Sequence, residues 1–167
     1  LTDAMKCCGF SETISGGVSV TYAPTSAVIP SCTVAVYEGS YGDAATDCVI
    51  KKIHGARGRV TFSFENGQIA RVNFEFVGTY NAPADGSFLT VPAIAVDPEP
   101  FLNCGLTYDG VSTFRVDSLS IDMQNQISMR PDVTKPTGFF TAALTGRNPV
   151  GEMTTEQMDV STYDAFV

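Results

Sequence analysis

The residues best able to do chemistry in this chain are its single histidine, its five cysteines and its eighteen carboxylates. His54 ends a candidate strand with no nucleophile motif beside it, so it is interpreted as a hydrogen-bonding structural residue. Asp97 and Glu99 flank Pro98, a pattern more typical of a solvated loop than of a glycosidase carboxylate pair. These residue types predict no catalytic site, and we expect that the protein is not an enzyme.

The cysteines are odd in number and irregularly spaced: Cys7, Cys8, Cys32, Cys48 and Cys104. An odd set does not resemble the disulfide framework of a small secreted protein. The paired spacing of zinc ligands is missing as well. We predict reduced, mostly buried thiols, with no metal and no cofactor; oxidation after release, within or between subunits, is the alternative.

The glycine pair of Gly55-Ala-Arg-Gly58 lacks the strand-to-helix context of a phosphate-binding loop, and no Gly-Lys-Ser/Thr occurs. The one basic cluster consists of Lys51, Lys52, Arg57 and Arg59. Because no pattern of aromatic residues accompanies it, it does not indicate a nucleic-acid platform. It fits an acidic surface on a neighbouring subunit better.

Composition limits the classes of function. The 167 residues are 44% hydrophobic and 17% charged, which is enough for one folded domain with a core. The formal net charge of −8 argues against binding to a phosphate backbone by charge neutralisation. No apolar run approaches the roughly 18 residues of a membrane span, so no membrane partner is expected.

The clearest element is a β-hairpin on either side of Asn66-Gly67. Apolar and polar residues alternate in 60–65 and again in 71–76, so one face packs and the other stays wet. Two such segments around Asn-Gly predict a hairpin. The wet side chains are the first candidates for a functional face: Arg59, Thr61, Ser63, Glu65, Arg71, Asn73 and Glu75.

The loop length of this hairpin follows from the need to keep apolar residues on one face. A two-residue loop would place Phe62 opposite Arg71 and mix the two faces. A three-residue loop, Glu65-Asn66-Gly67, places Phe62 opposite Ala70 instead. We therefore predict the three-residue loop, with Gly67 in the left-handed conformation.

The rest of the chain predicts about eight strands and short flanking helices. A second alternating run puts Ser118, Ser120 and Asp122 on a polar face. Helices are predicted at Thr2–Cys8, at Thr154–Asp159 and from Ser161. Strands in neighbouring hairpins favour a mainly-β fold, a β-sandwich or barrel, in a single domain over residues 1–167.

Between Asn81 and Leu102 the alternation is lost among four prolines, which predicts a long irregular loop. Loops of this length inside a domain are usually functional. Apolar side chains on a free loop are unfavourable, but they suit a segment that docks on a neighbour. We predict an inter-subunit arm, carried by Phe88, Leu89, Val91, Ile94, Phe101 and Leu102.

Several segments, taken in order, resemble the tail tube (major tail) proteins of long-tailed bacteriophages. They are Met5-Lys-Cys-Cys-Gly-Phe10, Val18-Ser-Val-Thr-Tyr-Ala-Pro24, Cys32-Thr-Val-Ala-Val-Tyr37, the Gly55–Tyr80 hairpin, Ser118–Arg130 and Leu144-Thr-Gly-Arg-Asn-Pro149. The resemblance lies in their order and combination and covers most of the chain.

The resemblance implies a structural virion protein with a β-sandwich or barrel. Subunits form rings, sixfold or threefold with pseudo-sixfold symmetry, which stack into a tube beside other tail proteins. DNA passes through the bore without specific binding. The wet strand faces named above would line the bore or the outer wall. The protein would be made in the host bacterial cytoplasm and reside in the virion tail.

Members of that family carry more sequence before Leu1 and after Phe166, so the resemblance also implies that flanking segments are missing here. The alternative function is a monomeric β-sandwich binding module of the adhesin or carbohydrate-binding type. The absence of tryptophan counts against that alternative.

Overall fold

A computed structural model describes residues 1–39, 47–90, 98–102, 105–107 and 115–156. The described part is almost entirely antiparallel β-structure with one short helix, which confirms the mainly-β prediction. The elements are α1 (Thr2–Cys7), β1 (Phe10–Ser15), β2 (Ser19–Pro24), β3 (Cys32–Gly39), β4 (Asp47–Glu65), β5 (Arg71–Ser87), β6 (Val116–Asp122), β7 (Asn125–Pro131), β8 (Phe139–Arg147) and β9 (Val150–Thr155).

Residue contacts divide the chain into two compact units. Unit 1 comprises Leu1–Val60, Phe74–Ile94 and Gln124–Asn148, and unit 2 comprises Thr61–Asn73, Ala95–Met123 and Pro149–Val167. Each unit is assembled from three separate stretches of the chain. The single domain over residues 1–167 stays a prediction, and so does the sandwich or barrel arrangement.

Unit 1 contains two hairpins, β1–β2 and β7–β8, and the pairing of β3 with the first part of β4. Helix α1 precedes β1 and packs its buried side onto this unit, where Met5 and Cys7 are almost fully enclosed. Most of the buried apolar side chains belong to unit 1: Met5, Cys7, Cys8, Phe10, Cys48, Ala56, Val60 and Ala142. The hydrophobic core described by the structure therefore lies in this unit.

The Gly55–Gly58 segment lies inside strand β4, where it forms a β-bulge. The register with β3 shifts by one residue between the pairs Val34–Ile53 and Cys32–Ala56. Gly55 has a φ of 59°, which a side chain would disfavour. The glycine therefore supports a bend in a long strand, and the chain continues as β-structure instead of entering a helix.

Strand β5 pairs with β4, as the hairpin prediction requires, and Gly67 is left-handed with a φ of 73°. The predicted three-residue loop is wrong, because β4 ends at Glu65 and β5 begins at Arg71. A turn from Glu65 to Gln68 is closed by a 3.0 Å backbone hydrogen bond, and Ile69 then bridges to Pro100. That bridge draws residues 68–70 away from β4 and lengthens the loop.

The irregular loop predicted from Asn81 is corrected at its start, because β5 continues to Ser87. Nearly every side chain from 81 to 87 is exposed, so the strand has no apolar alternation to detect. Its backbone is held instead by the neighbouring β4: Cys48 Sγ donates to the carbonyl of Gly86 at 3.4 Å.

In unit 2, the end of β4 pairs with β6, and β6 pairs with β9, all antiparallel. The helix predicted at Thr154–Asp159 is wrong at its start, since Thr154 and Thr155 belong to β9. The remainder of that helix, and the helix predicted from Ser161, lie outside the described residues. Within the described parts of the chain, no helix is long and apolar enough to cross a membrane.

Candidate functional site

Three strands of unit 2 place their polar residues in register on one side of the sheet. Ser63 of β4 faces Ser120 of β6, which faces Glu152 of β9. Directly opposed residues of antiparallel strands project from the same side. The row Glu65–Ser118–Thr154 repeats this arrangement, whereas the row Thr61–Asp122 ends at the apolar Val150 of β9. We define the polar face as Thr61, Ser63, Glu65, Ser118, Ser120, Asp122, Glu152 and Thr154.

The sequence offered the β4 residues and the β6 residues as alternative candidates, and the structure brings both onto this one face. The opposite side of the same strands is apolar, with Phe62 facing Ile121 and Phe64 facing Leu119. Alternation along two neighbouring strands, each with period two, therefore produces one two-sided sheet.

The polar face forms part of an open concavity of about 480 Å³ within unit 2. Two further candidates from the hairpin, Arg71 and Asn73, line it together with Gln68 of the turn. Glu65 and Glu152 supply two carboxylates to its wall and Arg71 supplies one cation. The concave surface is therefore polar and weakly acidic.

The last two wet-face candidates, Arg59 and Glu75, belong to unit 1 and bind each other. Arg59 donates to Glu75 at 2.8 Å, and both side chains are about half exposed or more. A surface pair of this kind contributes little to stability. The ion pair neutralises Arg59 and Glu75, two of the charged residues that were predicted to lie on a functional face.

The basic cluster is also largely satisfied within the chain. Lys51 forms a 2.6 Å ion pair with Glu38. The guanidinium of Arg57 donates to the backbone carbonyls of Ile29 and Ala142. Of the four cations, the described contacts leave only Lys52 without a partner, so the cluster is weakened as a docking site for an acidic neighbour.

The candidate arm residues fall into three groups. Phe88 and Leu89 are exposed at 43% and 65%, directly after β5, and Leu102 is also exposed. Phe101 instead packs on Phe64 of its own chain, with ring centroids 5.1 Å apart. Its backbone is tied to Gly67 and Gln68 of the turn. Val91 and Ile94 lie outside the described residues.

Sequence reasoning missed a buried polar cluster in unit 1. Asn125 is 6% exposed and donates through Nδ2 to the carbonyls of Cys8 and Gly58, at 2.8 and 2.9 Å. Its Oδ1 accepts a 3.0 Å hydrogen bond from Arg147. The same guanidinium donates to the carbonyl of Gly9, so one pair of side chains fastens α1, β4, β7 and β8 together.

A second missed cluster surrounds the carboxylate of Glu12, which is mostly buried. Lys6 forms an ion pair with it at 2.8 Å, Thr2 donates at 2.7 Å and Tyr22 donates at 3.0 Å. These donors, Lys6 first, hold the pKa of Glu12 at about 2, and Glu12 in turn raises the pKa of Lys6. The cluster fixes helix α1 to the β1–β2 hairpin.

The described cysteines are free thiols, and three of the four are buried, which confirms the prediction for Cys7, Cys8 and Cys48. Cys104 lies outside the described residues. Burial, aided by a hydrogen bond with Cys32, raises the pKa of Cys7 to about 12, and burial raises that of Cys8 to about 12. Such thiols are poor nucleophiles and poor metal ligands.

His54 shares a 3.1 Å hydrogen bond with Thr33 across the β3–β4 pair, as predicted for a structural histidine. In the parts of the chain that the structure describes, no group of three or more metal-binding side chains occurs. Two separate surfaces are candidates for function: the polar face with the edge of β9 in unit 2, and the exposed Phe88 and Leu89 in unit 1.

That edge is open: among the described strands, β9 pairs only with β6. Sequence reasoning missed β9, although Met153 between Glu152 and Thr154 carries the period-two signal. An unpaired edge offers a row of backbone donors and acceptors to another chain.

Comparison with known protein families identifies the class of this protein. A sequence profile of the family described as "Phage tail tube protein" matches residues 8–166. The chain therefore belongs to the phage tail tube proteins and is a structural component of the virion tail. No curated protein and no solved structure gives a significant match.

Proposed function

We propose that this chain polymerises into stacked rings that form the tail tube, the channel for DNA passage into the host. The supporting observation is the polar face of unit 2, which is continuous across β4, β6 and β9. The open edge of β9 would pair with a strand of the next copy, so that the polar faces join around a ring. Membership of a family that assembles with itself and with other tail proteins supports this role.

The polar face suits the wall of a DNA channel on electrostatic grounds. It carries the carboxylates of Glu65, Asp122 and Glu152, and the formal net charge of the chain is −8. Like charge on wall and DNA disfavours adhesion, so DNA can slide. Hydroxyl side chains between the carboxylates keep the wall hydrated and fill the surface without adding cations.

Phe88 and Leu89 would supply a second kind of contact. They form an exposed apolar pair at the end of β5, and apolar groups of this kind are stabilised when a partner covers them. We assign them to docking on the adjacent subunit. Phe101 has no such role in this proposal, because its ring packs on Phe64.

Negative-stain electron microscopy of the purified chain tests the function directly. Rings or tubes are expected, with the fraction in tubes rising with protein concentration. Featureless monomers at all concentrations would contradict the proposal and support the alternative of a monomeric binding module.

Reversing the charges of the polar face tests the placement of that face in the bore. The variant Glu65→Lys/Glu152→Lys is expected to form tubes that retain duplex DNA in a salt-sensitive manner, unlike the wild type. Asp85→Lys, an exposed site on β5, is the charge-matched control for each of the single variants Glu65→Lys and Glu152→Lys, which are measured beside the double variant. Equal retention of DNA by the control would contradict a bore position for the polar face.

A further inference from the structure

The closed end of the β7–β8 hairpin carries exposed apolar side chains. We define the hairpin tip as residues 130–140. Phe139 and Phe140 begin β8 and are 42% and 58% exposed. Thr141 lies opposite Arg130 and Phe139 lies opposite Pro131, so Phe140 is the extra residue of a β-bulge. Both rings nevertheless remain partly exposed and can be covered by a partner. Val133, in the loop between the strands, is 100% exposed.

The loop that carries Val133 is tightly built. Asp132 Oδ1 accepts hydrogen bonds from the backbone N–H and the hydroxyl of Thr134, at 2.9 and 2.6 Å. Asp132 N–H donates to the carbonyl of Gly138 at 2.9 Å, and Gly138 N–H donates to Lys135 at 2.9 Å. A loop held in this way loses little conformational entropy when a partner covers it. Val133 is therefore presented on a preorganised support.

The charge of the hairpin tip differs in sign from that of the protein. Arg130 and Lys135 are cationic and Asp132 is anionic, so the tip is formally +1 on a chain whose net charge is −8. Lys135 Nζ lies 5.8 Å from the ring centroid of Phe140, which keeps this cation beside the apolar surface. The tip thus combines a cation with exposed apolar groups.

We propose that the hairpin tip docks on the acidic surface of a second copy of this chain. This inference rests on the proposed function and deepens it. A tube made of rings requires one interface around the ring, which closes by rotation, and a different one along the axis, which repeats from ring to ring. The open β9 edge of unit 2 serves only one of them.

The charge of the hairpin tip and the family membership of the chain indicate which partner the tip binds. A second copy is acidic, which complements the cationic tip, and family membership implies that copies assemble. A membrane surface with anionic lipid would also attract a cationic apolar tip. Binding of the tip to such vesicles, in place of a second copy, would overturn the inference.

The test compares Val133→Ser with the wild type by sedimentation velocity and electron microscopy. The critical concentration for assembly is expected to rise about tenfold, since one buried valine contributes roughly that factor. Thermal melting should be unchanged, because the side chain is fully exposed within the chain. Lys135→Glu should raise the critical concentration as well, and by more at low salt than at high salt.

Val28→Ser is the matched control, because Val28 is 95% exposed in the same unit. It should assemble like the wild type. Normal assembly of Val133→Ser, or equal losses in Val133→Ser and Val28→Ser, would overturn the assignment of a contact to the hairpin tip. A wild-type chain that stays monomeric would instead contradict the proposed function, and this inference with it.

Discussion

At the scale of single residues, two polar clusters hold unit 1 together more specifically than its apolar core does. Asn125 and Arg147 are 22 positions apart, and their partners include the carbonyl of Cys8. Leaving a buried polar group without a partner costs more free energy of folding than one hydrogen bond contributes. Each residue of the cluster is therefore needed by the others. Contacts between such distant residues leave no trace in local sequence patterns.

Replacing Asn125 with alanine should destabilise the protein by about 2–4 kcal/mol, because the carbonyls of Cys8 and Gly58 would lose their donor in a buried site. The expected decrease in melting temperature is roughly 5–15 °C, measured by circular dichroism. Ser128→Ala, on the same strand but exposed, should melt within about 2 °C of the wild type. Equal stability of the two variants would show that the cluster is dispensable.

The Glu12 cluster predicts a dependence of stability on pH. The pKa of Glu12 lies near 2 in the folded chain, below its ordinary value of 4.5, so the folded state favours the carboxylate. Its stabilising contribution is complete above about pH 4.5 and is lost as the pH falls towards 2. Glu12→Gln should therefore melt below the wild type at pH 6 and together with it near pH 2.

The control for this titration is Asp85→Asn, an exposed carboxylate on β5. Melting curves of the three proteins at pH 6, 4, 3 and 2 give the comparison. A difference between Glu12→Gln and the wild type that stays constant from pH 6 to pH 2 would argue against a depressed pKa.

At the scale of elements, close approach of β4 and β5 depends on glycine. A Cβ at Gly78 would lie 2.9 Å from the carbonyl oxygen of His54 and 2.9 Å from the Cβ of Ala56. At Gly58, it would lie 2.8 Å from the carbonyl oxygen of Glu75. At Gly78 two of the three nearest atoms belong to the backbone, which cannot rotate away, and at Gly58 the ring of Phe76 lies as close as the carbonyl of Glu75. The two glycines therefore set the distance between the strands.

Gly78→Ala should cost about 1–3 kcal/mol, because β4 and β5 must separate to admit the methyl group. Urea unfolding monitored by circular dichroism measures this change. Gly16→Ala is the control, since a Cβ there meets no atom within 4 Å. A Gly78→Ala variant as stable as Gly16→Ala would mean that the strands separate without cost.

Strand alternation was the part of the fold that local patterns could predict. Residues 60–64 and 116–122 have one apolar and one polar side, and both form strands. Prediction failed where side chains carry no pattern, as in residues 81–87, whose strand depends on backbone pairing with β4. It failed again at residues 68–70, because a bridge from Ile69 to the distant Pro100 decides the loop length.

Sequence patterns identified polar residues of the candidate site, but they did not predict which of these residues share one face. Ser120 and Ser63 were each recognised as wet, yet only the register of β4 with β6 places them on one face. Glu152 joins that face through β9, whose last residues, Thr154 and Thr155, the sequence predicts as the start of a helix. Pairing between strands distant in sequence is a tertiary property, and period-two alternation does not encode it.

At the scale of the whole molecule, our proposal assigns contacts between subunits to exposed apolar side chains. Phe88→Ser/Leu89→Ser should leave a folded monomer that forms tubes poorly, because the docking contact would lose about two buried side chains. Native melting curves together with tubes reduced about tenfold or more in electron micrographs are expected.

Val77→Ser/Tyr80→Ser provides the control for this variant. Val77 and Tyr80 lie on β5, the strand that Phe88 and Leu89 directly follow, and are 42% and 66% exposed, close to the 43% and 65% of Phe88 and Leu89. Normal tubes from Phe88→Ser/Leu89→Ser, or equal impairment of both double variants, would contradict a docking role for the end of β5.

The chain passes between its two units at residues 60/61, 73/74, 94/95, 123/124 and 148/149. Neither unit is encoded by one uninterrupted stretch of the gene. A single recombination event between related phages therefore cannot exchange one unit and keep the other intact. Hybrid genes joined near residue 94 or 124 would mix strands of both units from both parents. Viable hybrids should therefore arise when the entire coding region for residues 8–166 is replaced. We expect this region to be inherited without internal exchange.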